Sequence, residues 1–123
     1  MDKEQAIQAF WESFGLPAYD EYAVPDDAKM PYITYTSMTG AVGDVLALSG
    51  SIWYYSPSWK DISRKRDEIA EAVGENGYYI RAIDGGYMWI KRGSPFSQRM
   101  QEPGSDMTRR MYINLLAEFL TAF

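Results

Sequence analysis

Apolar residues recur along this chain with two different periods, and the switch between them predicts its elements. Ile7, Phe10, Trp11 and Phe14 fall three or four positions apart. That is one face of an amphipathic helix over residues 3–14, which Gly15 and Pro17 stop. Ala18 to Met30 reads as a loop holding Asp20, Glu21, Asp26 and Asp27. Tyr32–Thr36 is rich in β-branched and aromatic residues and reads as a strand. Thr39 to Gly43 reads as a turn, and Asp44 to Ser49 as a strand or extended segment leading into a strand over Ser51–Ser56.

A second helix is predicted over residues 60–73, where Ile62, Ile69 and Val73 share one face. Ser58 is its expected N-cap, with Asp61 three residues later, and Gly74 suits the position just past its end. Arg66 falls inside the apolar arc, either snorkelling at its edge or buried and paired. Asp84-Gly85-Gly86 is a hairpin signal joining Tyr78–Ile83 to Tyr87–Lys91. One hairpin face would hold Ile80, Ala82, Tyr87 and Trp89, the other Tyr79, Ile83, Met88 and Ile90, and neither is polar. Gly93-Ser94-Pro95 predicts the end of that strand, and Pro103-Gly104 a second break. Between them, Phe96 to Glu102 is expected to connect and project from the sheet. Met107–Leu116 alternates strictly, with Met111, Ile113 and Leu115 on one side, and Ala117–Phe123 continues as strand or helix.

The expected fold is a single α+β domain over residues 1–123, a mostly antiparallel sheet with two main helices packed against it. Its strands carry apolar residues on both faces. A chain of 123 residues covers one such face well, so the second points to a neighbouring molecule.

Composition narrows the chemistry. Ten Tyr and four Trp suit either a core or a surface buried on association. There is no Cys, hence no disulfide or thiolate metal site, and no His, the usual general base. The N-terminal segment starts with acidic rather than basic residues and is interrupted by Trp11, so no signal peptide is expected. No apolar run approaches the ~20 residues of a membrane span, and a soluble cytoplasmic protein is expected. Net charge is −5, unevenly spread: residues 1–50 carry −6 and residues 51–123 carry +1. This asymmetry suits head-to-tail self-association or simple solubility, and it disfavours sequence-specific DNA binding.

Phosphate loops, dinucleotide fingerprints and nucleophile elbows are missing from the sequence. The acidic loop lacks the spacing, Gly and terminal Glu of a calcium loop. No catalytic, cofactor or metal residue is therefore assigned, and no enzyme activity is expected. Basic residues cluster at Lys60, Arg64, Lys65 and Arg66, at Lys91 and Arg92, and at Arg109 and Arg110. They read as solvated faces, with Tyr54, Trp59 and Trp89 nearby as core. The segment after the hairpin mixes Lys91, Arg92, Phe96, Arg99 and Met100, and these five are the candidate assembly interface.

The C-terminal part, roughly residues 31–123, runs from Ile52-Trp53-Tyr54-Tyr55 through Ser58-Trp59 and Glu68-Ile69-Ala70-Glu71-Ala72-Val73-Gly74. It continues with Trp89-Ile90-Lys91-Arg92-Gly93-Ser94-Pro95-Phe96-Ser97-Gln98 and Arg109-Arg110-Met111-Tyr112-Ile113-Asn114-Leu115. This order resembles small structural proteins of the head–tail region of long-tailed phages and prophages. The likeness is to tail terminator (tail completion) proteins and the minor capsid proteins beside them. The resemblance implies a homo-oligomeric ring, commonly a hexamer, that caps the tail tube and meets head-completion proteins in the virion, after assembly in host cytoplasm. The N-terminal helix and acidic loop carry no motif of that kind. A small-molecule-binding or weakly enzymatic domain with a Tyr/Trp-lined pocket is the alternative expectation.

Overall fold

The computed structural model describes residues 3–36, 45–83 and 86–121. Its elements are α1 (Lys3–Glu12), β1 (Ala18–Asp20), β2 (Tyr32–Tyr35), β3 (Val45–Tyr55), α2 (Lys60–Val73), β4 (Tyr78–Ile83), β5 (Gly86–Met100) and β6 (Thr108–Thr121). The strands form one sheet in the order β1-β2-β3-β6-β5-β4. β1 and β2 are parallel and the other neighbours antiparallel. The chain is thus α+β with a mostly antiparallel sheet. The predicted turn over Thr39–Gly43 and the residues Asp84-Gly85 lie outside the described residues.

Strand alternation sorts side chains onto two faces. Ile33, Ile52, Met88, Ile90, Met111, Ile113 and Leu115 share the inner face and are each no more than 1% exposed. They belong to one buried cluster with Ala6, Ile7, Phe10 and Trp11 of α1 and Ile62, Ile69 and Val73 of α2. Gly50 of β3 is small for a reason: a Cβ there would lie 2.9 Å from Cη2 of Trp11 and 3.1 Å from the Thr34 carbonyl. At the end of α2, Gly74 has φ 67° and its N–H donates to Ala70 at 2.9 Å.

Several expectations are corrected. α1 ends at Glu12 rather than Phe14, although Phe14 stays buried beyond it. Trp59, not Ser58, holds the N-cap position of α2 and makes no side-chain capping bond; the Ser58 hydroxyl accepts from the Lys60 N–H at 2.9 Å. Arg66 is half-exposed at the edge of its arc and bonds Asp67 at 2.9 Å. Ala18–Asp20, expected as loop, is a strand because the Pro17 carbonyl accepts from Ile33 and the Tyr35 carbonyl from Glu21, at 2.8 and 2.9 Å. Short polar edge strands of this kind leave little periodic signal.

The hairpin register also differs. Tyr79 pairs with Trp89, Ile80 with Met88 and Tyr78 with Ile90. Ile80 therefore shares the inner face with Met88 and Ile90, while Tyr79 joins Tyr87 and Trp89 outside. A one-residue slip exchanges faces, and here the ladder shifts register between Ile80 and Ile83. Pro95 does not end β5 either. The strand bulges, advancing five residues from Arg92 to Ser97 against two on β6, and then pairs on to Met100. Pro95 has no N–H to donate, but its carbonyl accepts from the Asn114 amide at 3.2 Å. β6 continues as strand to Thr121. No helix among the described residues is long and apolar enough to cross a membrane.

Candidate assembly surface

Residues of β5 that neighbour one another in sequence are separated by the sheet. Lys91 points to the outer face, with its Nζ 3.8 Å from the Trp89 ring centroid and 3.4 Å from Glu118 Oε2. Arg92 points to the inner side and donates to the Ala70 carbonyl of α2 at 2.6 Å, a second bond to an oxygen that also accepts from the Gly74 N–H, and its charge lies at the negative end of the helix. Phe96 sits in the bulge, half-buried against the core. Arg99 and Met100 lie one bulge further on, in the ladder with Met111 and Arg110. The expected projecting segment is thus a strand, and its five residues divide into three places. Arg92 stays beside Phe96, its guanidinium carbon 5.9 Å from that ring's centroid, and Arg99 stays beside Met100.

Met100 lines a cleft at the β5–β6 end of the sheet, and Arg99 lies beside the Trp59 ring that forms part of its wall. Its space is about 630 Å³, and Trp59, Met100, Glu102, Ser105, Asp106 and Arg109 line it. Trp59 precedes α2 and is half-exposed. Two guanidinium carbons lie beside its ring, Arg99 at 4.9 Å and Arg109 at 5.4 Å. Arg109 donates to the Pro57 carbonyl at 3.0 Å, while its buried Nε has no acceptor among the described residues. The far wall is a turn organised by Ser105, whose hydroxyl accepts from the N–H groups of Met107 and Thr108 at 3.3 and 3.1 Å. Glu102 is already engaged by Arg110 at 3.3 Å.

The outer face joins aromatic and polar groups. Tyr19 meets Tyr32 edge-on, and Tyr32 adjoins Trp53. Trp53 donates to Thr34 at 2.9 Å, and Arg110 lies over its ring at 4.8 Å while donating to Ser51 at 3.1 Å. At the other side, Tyr79 stacks on Trp89 at 5.4 Å and 4°. Burial raises the Tyr32 hydroxyl above its ordinary pKa, with Tyr19 adding to the effect. Tyr54, among the inner residues, is raised by burial first and then by Asp61 and Glu68.

The reading of Trp59 and Trp89 as core holds for neither in full, since both keep part of their rings exposed. Trp59 rests against the core, and Trp89 lies on the outer face. The pairing of Trp59 with Arg109 was not legible locally, because fifty residues separate them in sequence. In the acidic loop, Asp20 accepts from the Tyr22 N–H at 2.9 Å. No group of three or more carboxylates among the described residues is placed to hold a metal. Of the basic cluster on α2, Lys65 reaches the Phe14 carbonyl at 2.7 Å and ties α2 to the end of α1. No family model, curated protein or solved structure matches this chain.

Proposed function

We propose that this chain is a structural protein of the head–tail junction of a long-tailed phage or prophage, tail terminator-like, which acts by ring assembly and by contact with tail-tube and neck proteins. In this reading both helices form a layer on the inner face of the sheet, and the outer face and its ends are left for other subunits. The observation that carries it is the outer face itself. Half-exposed Trp53 holds Arg110 over its ring and half-exposed Trp89 holds Lys91, and Tyr79 and Tyr87 beside Trp89 are 40% or more exposed. Arginine-aromatic surfaces of this composition are typical energetic centres of protein contacts.

The test is the mass of the particle. Sedimentation and electron microscopy of the protein, alone and with the tail-tube protein of the same phage, should give a closed ring. A monomer under both conditions would sink the proposal. The cleft beside Trp59 favours a second reading, a small-ligand domain, because its size falls within the range of about 300–1,000 Å³ usual for such sites. Its lining contains one Trp and no Tyr, unlike the aromatic pocket expected from sequence. A ligand that raises the melting temperature of a monomer would favour that reading.

A further inference from the structure

We propose that the cleft beside Trp59 receives the acidic loop, residues 20–27, of a second copy of this chain. The inference rests on the ring reading and names the contact that would close it. Asp20, Glu21, Asp26 and Asp27 place four carboxylates in eight residues with no basic side chain among them. Between them Tyr22 is 91% exposed, the most open of the large apolar side chains among the described residues. The loop is already shaped: Ala23 donates to the Asp20 carbonyl at 2.9 Å and Ala28 to the Pro25 carbonyl at 3.0 Å. A preformed loop loses little conformational freedom on docking.

The cleft offers the complementary groups. Its indole is flanked by Arg99 and Arg109, an arrangement suited to an aromatic ring accompanied by carboxylates. Glu102 on the same wall is neutralised by Arg110, and Asp106 stays exposed at the rim. The charge asymmetry along the chain, −6 over residues 1–50 and +1 over residues 51–123, points the same way.

In this structure the loop does not fill its own cleft: Tyr22 is 91% exposed and no residue of 20–27 lines the cleft. The loop leaves the sheet where Asp20 pairs with Tyr35 and Tyr35 with Gly50. The cleft lies where Tyr55 pairs with Thr108, five residues further along β3 and three strands across from β1. At about 3.4 Å per residue and 4.8 Å per strand, the point where the loop leaves the sheet is about 20 Å from the cleft. Loop and cleft are different patches, so the contact is head-to-tail, the type that closes into rings.

The experiment uses the full chain and two variants. One is Tyr22→Ala with Asp26→Lys and Asp27→Lys, all at exposed positions. The other is Arg99→Glu, also exposed, and circular dichroism and melting confirm that each folds. Sedimentation of wild type should show self-association that weakens with salt, and each variant alone should weaken it about tenfold or more. Mixing the variants pairs the intact loop of one with the intact cleft of the other, so a species that stops at two copies should appear. Association of both variants at wild-type strength would overturn this contact while leaving ring assembly standing. Failure of the mixture to pair would do the same. A wild type that stays monomeric alone also overturns it, and the mixture with tail-tube protein then decides the ring separately.

Discussion

The two faces of one sheet differ more than two halves of the sequence do. Met111, Ile113 and Leu115 on β6 are no more than 1% exposed, and all three belong to the cluster that contains helix residues. Arg110, Tyr112 and Asn114 alternate with them and are only partly buried. The inner face gains its stability from removing apolar surface from water. The outer face is held by groups that remain wet: a guanidinium over Trp53, an ammonium over Trp89, a hydroxyl under an indole N–H. Such contacts contribute little each, but they fix the rings in place and leave area to bury on association. A dry core and a wet aromatic surface are thus assigned to alternate residues of the same strands.

The most direct way to break this contrast is to remove one tryptophan from each side. Trp11→Ala, at 0% exposure, should cost about 3–5 kcal/mol in denaturant unfolding. Trp53→Ala should cost about 1–2 kcal/mol, since a half-exposed ring with one cation contact has less to lose. Equal losses would show that the outer face is as much a core as the inner.

Gly50→Ala comes next. The added methyl would meet the Trp11 indole and the Thr34 carbonyl, so a loss of about 1–3 kcal/mol is expected. Combining it with Trp11→Phe should recover part of that loss, and strict additivity of the two would mean that the ring and the strand do not touch.

Alkali sharpens the comparison differently. Tyr32, Tyr35 and Tyr54 all have hydroxyls raised mainly by burial. Each therefore keeps its proton longer folded than unfolded. The stability this carries is complete below the unfolded value of about 10 and is lost as pH rises through the folded values. Urea midpoints should fall above about pH 10, and Tyr35→Phe, which removes the hydrogen bond that Tyr35 donates to Gln8, should flatten that fall. A fall of unchanged steepness would assign it to other groups.

The smallest effect is expected at Lys91. Replacing it by Ala removes an ion pair to Glu118 and a contact with Trp89, both partly exposed, and should cost under about 1 kcal/mol. A larger loss would mean that the outer face supports the fold.

Local pattern alone determined α2 to the residue, because Ile62, Ile69, Val73 and Gly74 state its period and its end within one short segment. It also determined that β6 alternates and that a hairpin joins β4 to β5. Tertiary structure decided the rest, and in each instance the deciding partner lies on another element. Asn114 receives the Pro95 bulge and turns an apparent strand end into a continuation. β2 makes Ala18–Asp20 a strand. The cross-strand ladder sets which hairpin rings face inward. Of the five residues proposed as one surface, Arg92 is drawn inward by a helix carbonyl, Lys91 outward by Glu118, and Arg99 to Trp59, forty residues away in sequence. Period is a property of neighbours along the chain, whereas register, bulges and the grouping of charges depend on which strand lies opposite.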